Sequence, residues 1–150
     1  RERRTPIRGY LGIDNGTQGI SIIFCNEDLE ILATGEASFG MIPDLAEGCF
    51  EQSTADWDAA LVASMNEIHT QLSNIKVLGI GISGQMHGQV LLDKNGMAFA
   101  PVRLWCDARN QEEATLLTQL FGTKVPKRST VARFLWTIRN EPELAALTSH

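Results

Sequence analysis

The chain has 150 residues, 43% of them hydrophobic and 21% charged, enough for one domain with a real core and typical of a globular protein. Its formal net charge of −5 argues against nucleic acid as a partner, because an anionic protein gains nothing by displacing counterions from phosphate. No apolar run approaches a membrane span, and the opening "RERRTPIRG" lacks the apolar stretch of a secretory signal; residues 1–8 read as a basic leader or a cloning remnant, and the protein as cytoplasmic.

In chain order, residues 10–14 read as a strand, with Leu11 and Ile13 on one face and Gly12 and Asp14 on the other. Residues 20–25 form a second strand, rich in β-branched side chains. "NEDLE" is a turn, and residues 31–37 complete a meander. Both faces of these strands look apolar, which predicts a sheet covered on both sides. Residues 40–52 carry Pro, Gly and acids without a period and read as a loop.

A helix follows, marked by Trp57, Leu61, Ser64, Met65, Ile68 and Leu72 at helical spacing. Ser53 or Thr54 suits its N-cap, and Asp56 and Asp58 suit the positive end of its dipole. His69 stands at the edge of the stripe, a boundary residue rather than a ligand. Residues 77–83 form a strand with a large apolar face of Leu78, Ile80 and Ile82. Its other face is small, and glycine inside a strand marks a close approach of backbone. "GQMHG" breaks this strand, "QVLLD" resumes it, "KNG" is a hairpin turn, and "VRLW" is another short strand. Helices are expected over 109–121 and 131–139, the second halted at Asn140-Glu141-Pro142. Strands first and alternating helices and strands after predict a mixed α/β sheet. Cys25, Cys49 and Cys106 are odd in number and without Cys-x-x-Cys spacing, so they read as reduced thiols.

The first turn, "DNGTQG", is chemically suggestive. Two glycines bracket Thr17 and Gln18, allow positive φ, and let backbone N–H groups form an anion-binding nest. Asp14 cannot bind phosphate itself but can hold a hydrated Mg²⁺ that does. On this stretch alone a plain hairpin, with Asp14 accepting backbone N–H bonds, is the commoner outcome.

Further motifs shift that balance. "YLGIDNGTQGISIIF" resembles the Asp-x-Gly-Thr phosphate motif of the sugar kinase, chaperone ATPase and actin superfamily. "GISGQMHGQVLLD" followed by "PVRLWCDARNQEE" is similar to the FGGY family of carbohydrate kinases, and within it "GQMHG" is most similar to the xylulose-phosphorylating members. "FEQSTADWDAAL" and "ARFLWTIRNEPE" resemble two more segments of that family, in the family's order.

The resemblance implies a ribonuclease-H-like α/β lobe, a mixed sheet flanked by helices, with residues 9–150 as the incomplete N-terminal part of a two-lobed kinase. It implies transfer of the ATP γ-phosphoryl group to a ketose hydroxyl, with D-xylulose as the first choice of sugar. Ribulose, sedoheptulose or a polyol are the alternatives, and ATP and Mg²⁺ are the cofactors. Carried onto the matching motifs, Asp14 organises Mg²⁺, Gly16, Thr17 and Gln18 face the phosphates, Met86 and His87 contact the sugar, and Trp105 and Asp107 lie close to the sugar pocket. The Asp general base and most of the adenine site belong, by the same resemblance, to the second lobe. That lobe is the expected partner, homodimerisation stays open, and the 150 residues alone are expected to be inactive.

The residue types suit these roles. A sugar needs neutral hydrogen-bond partners for its hydroxyls, which His87 offers, and flat apolar surface for its C–H faces, which Met86 and Trp105 offer. Gly84 and Gly88 are expected to supply the bend between them. Two positions depart from the family pattern. Ser21 stands where a Lys or Arg is usual near the phosphates, and the segment "GTKVPKRSTVARFLW" is shorter than the family pattern, with Arg133 where a Lys is typical. A non-catalytic sugar-sensing module on the same fold is the competing reading, supported by Ser21 and that short segment.

Overall fold

The computed structural model describes residues 5–150. Its elements in chain order are β1 (Ile7–Asn15), β2 (Gly19–Asn26), β3 (Ile31–Ser38), β4 (Glu51–Gln52), α1 (Thr54–Gln71), β5 (Ile75–Gly84), β6 (Val102–Arg103), α2 (Gln111–Phe121), α3 (Thr130–Asn140) and α4 (Pro142–Leu147). They divide into two compact units where one was expected from length: residues 5–40 with 55–85, and residues 41–54 with 86–150. Ile7 and Arg8, placed in a leader on sequence, already belong to β1 and pair with Ile75 and Lys76.

The first unit is a four-stranded mixed sheet in the order β3-β2-β1-β5. The expected meander is present, with β1–β2 and β2–β3 antiparallel, and α1 is the crossover that lets β5 return parallel to β1. Register puts Leu11 opposite Phe24, and Phe24 opposite Ala33. These residues, with Ile20 and Ile22, form the core under Ala60 and Ile68 of α1. The helix lies very close to the sheet: a Cβ on Gly35 would stand 2.1 Å from the Ser64 carbonyl oxygen. Ser64 is itself buried in this seam and its hydroxyl donates to the Ala60 carbonyl at 2.8 Å. His69 is exposed in the last turn, as its boundary position suggested.

The two edges of the sheet differ. On β3, the Thr34 N–H donates to Gln71 Oε1 at 3.2 Å, Gln71 Nε2 donates to the Thr34 carbonyl at 2.6 Å, and the Glu36 N–H donates to Glu67 Oε2 at 2.9 Å. Side chains of α1 thus occupy edge groups that would otherwise template another strand. On β5, Ile80 and Ile82 are 58% and 77% exposed, and Tyr10 and Ile23 are exposed on the face opposite α1. The expectation of a sheet covered on both sides therefore fails. The buried cluster under α1 draws on β1, β2 and β3, and of β5 only Ile75 packs against it.

The second unit holds the pair β4–β6, in which Glu51 faces Arg103, and the three short helices. Residues 40–52, expected as loop, end in β4. The strands expected at 89–93 and 102–105 shrink to β6 and the single bridges Gln89–Arg103 and Leu92–Ala98. The "KNG" turn is present: Gly96 has φ 74° and the Asp93 N–H donates to the Met97 carbonyl at 2.9 Å. α2 stops at Gly122, whose left-handed φ of 66° suits a residue without Cβ. Pro142 does more than halt α3. It opens α4, because the first helical turn needs no N–H from its leading residue. Ala114, Leu117 and Ala132 form a small core between α2 and α3.

Candidate functional site

In the first unit, β1 brings Asp14 to the surface, and residues 16–18 turn the chain into β2. The Gly16 N–H donates to the Gly19 carbonyl at 2.9 Å and closes the turn. Neither glycine adopts a positive φ, contrary to expectation. Gly19 is required by proximity instead, since a Cβ there would stand 2.4 Å from the Ala37 carbonyl oxygen. Gln85 clamps the turn. Its N–H donates to the Asn15 carbonyl at 3.0 Å, its Nε2 donates to the Gly16 carbonyl at 3.3 Å, and its Oε1 accepts the Thr17 hydroxyl at 3.5 Å. A cleft of about 470 Å³ opens beside the turn, lined by Gly16, Thr17, Gln18, Ser21 and Glu36 among others.

Strand register adds what the turn alone does not show. Ser83, Asp14, Ser21 and Glu36 stand in one row across β5, β1, β2 and β3, and residues paired across a sheet share a face. Asp14 is thus flanked by two hydroxyl residues. It is exposed, and no hydrogen bond from a described residue reaches its carboxylate, so the plain-hairpin role of tying down backbone N–H groups is not in use. Glu36 was missed on sequence; the alternation of β3 was the available signal. Among the described residues no three His, Cys, Asp or Glu side chains converge to cage a metal. A divalent ion at Asp14 would take its other ligands from water and phosphate, a mode that suits Mg²⁺.

In the second unit, Met86 is 73% exposed and His87 is exposed beside it. His87 itself has φ 61°, and it supplies the bend expected of Gly84 and Gly88, neither of which is left-handed. That conformation costs a non-glycine residue about 1–2 kcal/mol, so its surroundings must hold it. Trp105 is half exposed and, with Cys106, Gln111, Lys124, Lys127 and Arg128, lines a cavity of about 620 Å³. Asp107 turns the other way. It is fully buried, and its carboxylate accepts the Phe50 N–H at 2.9 Å and the Arg109 guanidinium through Nε at 3.0 Å and a terminal nitrogen at 2.8 Å.

Behind these residues lies a buried arginine network that sequence reasoning largely missed. Arg109 also reaches Glu51 at 2.8 Å. Arg103 donates to the Thr137 hydroxyl at 2.7 Å, pairs with Glu141, and lies over the Trp136 ring with its guanidinium carbon 4.6 Å from the centroid. Arg133 is fully buried and donates to the carbonyls of His87, Arg128, Trp105 and Asp107. Burial alone pulls both Arg109 and Arg133 down. For Arg109 the hydrogen bond and charge of Asp107, with Glu51, outweigh that, and its pKa lies above the ordinary value. For Arg133 burial prevails over the attraction of Asp107, and its pKa lies below it. Burial also raises the Cys106 thiol, with Asp107 adding to the effect against its backbone hydrogen bond.

Comparison with known proteins gives the chain's family. The chain is 34% identical over 144 residues to a xylulose kinase of Escherichia coli and 31% identical over 150 residues to one of Bacillus subtilis. These matches cover 90% and 93% of this chain but 29% and 30% of those proteins. The solved structure of a xyloylose kinase from Brucella ovis superposes with a TM-score of 0.82 at 29% identity, over 93% of this chain and 31% of the other. That of xylulose kinase from Rhodospirillum rubrum gives 0.85 at 24% identity, over 95% and 31%, a likeness of fold. The mixed sheet with its helices is thus the actin-like ATPase fold of sugar kinases, and the chain spans under a third of the length of its relatives. Residues 9–146 match the N-terminal domain of the FGGY family of carbohydrate kinases, and the chain belongs to that family.

Proposed function

We propose that the protein carrying this chain phosphorylates a ketose, D-xylulose before ribulose or sedoheptulose, with Mg-ATP as donor. One observation carries the reading: Asp14 presents a carboxylate that no described residue pairs, two residues before a turn clamped by Gln85 and opening on a cleft. ATP supplies the phosphoryl group and Mg²⁺ neutralises its charge when bound. Asp14 orients the hydrated cation, and Gly16, Thr17 and Gln18 face the phosphates, Gly16 leaving room where a side chain would stand. Met86 and Trp105 offer apolar surface to the sugar, and His87 a ring nitrogen to a hydroxyl. Asp107 supports the Trp105 turn from within through Arg109 and the Phe50 N–H. The general base and the rest of the nucleotide site are assigned to the second lobe, so the 150 residues alone are expected not to turn over. The site lies in a chain whose described helices are all too short or too polar to cross a membrane.

The test is ADP release by the whole protein with Mg-ATP and each of the three ketoses, compared as kcat/KM. Highest turnover with D-xylulose supports the proposal; none with any ketose overturns it. A second reading, a sugar-binding regulatory module, draws on Ser21 in place of a cation and on the Glu36 carboxylate lining the same cleft. It requires sugar binding without ADP release in that experiment.

A further inference from the structure

His87 and Trp105 belong to separate segments of the second unit, yet both hang from one buried side chain. The Arg133 guanidinium donates through one terminal nitrogen to the carbonyls of His87 and Arg128, the latter at 2.8 Å, and through the other to the carbonyls of Trp105 and Asp107, at 2.8 and 3.4 Å. Those carbonyls lie on the left-handed bend after β5, on the turn after β6, and on the segment between α2 and α3. Arg133 is fully buried within α3, beside Ala132 of the small core. Its charge faces the carboxylate of Asp107, the thiol of Cys106 and the like charges of Arg103 and Arg109.

We propose that Arg133 is a positioning residue for the sugar-binding surface: its planar fork fixes the backbone beneath His87, Trp105 and Arg128, so that the ring of His87 and the wall of the Trp105 cavity keep one relative placement. Chemistry supports arginine in this role. Four carbonyls on three segments need donors spread over a plane, and a guanidinium presents them in fixed directions. An ammonium is a single point with three donors and cannot span the same set. The left-handed φ of His87 gives the fork something to hold, since that bend relaxes unless its neighbours restrain it. Arg133 itself touches no ligand. It acts on the sugar only through the segments it ties together.

This inference rests on the proposed sugar site for its kinetic consequence, but not for its structural one. The experiment uses the whole protein with Arg133→Lys and Arg133→Met, and with Leu117→Ala as a variant that weakens the same unit without touching the fork. Hydrogen exchange is followed at residues 86–88 and 105–107, and KM and kcat are measured with D-xylulose. Both Arg133 variants are expected to speed exchange at those two segments by about tenfold beyond Leu117→Ala, and to raise KM by about tenfold while kcat falls by less than about threefold. Arg133→Lys keeps the charge, so it serves if Arg133→Met does not fold. Exchange at the two segments that matches Leu117→Ala, or that rises evenly over the unit, overturns the proposal. Should the parent protein turn over no ketose, the sugar reading fails, while the exchange measurement still decides the role of Arg133.

Discussion

Asp14 and Ser21 face each other across β1 and β2, one carboxylate beside one hydroxyl on the open face of the sheet. The family resemblance implies a cation at the position of Ser21. On the proposed reading, Asp14 and Ser21 together supply no positive charge, so a bound metal ion would supply it here. Asp14→Ala in the whole protein is therefore expected to lower kcat by about a hundredfold or more, with KM for D-xylulose changed by less than about threefold. Steady-state kinetics check this, and an unchanged kcat refutes the metal role of Asp14.

Ser21→Lys tests the same pair from the other side. An added ammonium opposite Asp14, in the row that ends in Glu36, supplies charge to incoming phosphates. The expected outcome is a several-fold lower KM for Mg-ATP with kcat retained or raised, measured at fixed ketose.

Gly35 and the Ser64 carbonyl set how closely α1 lies on the sheet. Gly35→Ala forces a methyl to within 2.1 Å of that oxygen unless the helix shifts. It is expected to destabilise the fold by about 1–3 kcal/mol, read as a lower urea midpoint. The same change at Gly81, where a Cβ meets nothing within 4 Å, is expected to leave stability within about 1 kcal/mol.

Asp107→Asn removes the charge that Arg109 and Arg133 face from a fully buried position. Leaving buried guanidinium groups short of an anion typically costs about 3–5 kcal/mol. Urea unfolding is expected to show a loss of that order, and the Trp105 segment to exchange faster.

Cys106 offers a pH measurement. Burial holds its thiol above the ordinary value, so the folded state favours the protonated form. The stabilisation this gives is present below the ordinary thiol pKa and is lost as pH rises through the raised one. Alkylation by iodoacetamide is expected to be slower at neutral pH than for a free cysteine, with a midpoint shifted upward. Because Cys106 lines the Trp105 cavity, D-xylulose is expected to slow alkylation further. Protection without a pH shift separates occupancy of the cavity from the electrostatic effect.

The elements legible from sequence are those whose signal is local. The meander of β1, β2 and β3 follows from alternation and turn residues, and α1 from a stripe at helical spacing. The stop of α2 at Gly122 needs only one residue without a Cβ. The ordered motifs were likewise local strings, and they were enough to place the chain in its family. The row of Ser83, Asp14, Ser21 and Glu36 was not legible, because it joins four strands and depends on register, which no single strand carries. Asp107 read as a residue near the sugar, and it folds inward because Arg109 and the Phe50 N–H, 57 positions away, compete for its carboxylate. Local sequence thus determined the meander, α1, α2 and α3, whereas β4, α4 and the reduced pairing at 89–93 and 102–105 followed from tertiary contacts. Tertiary structure decided which polar side chains reach water and which are consumed in the interior, since a buried charge is tolerable only where distant partners converge on it.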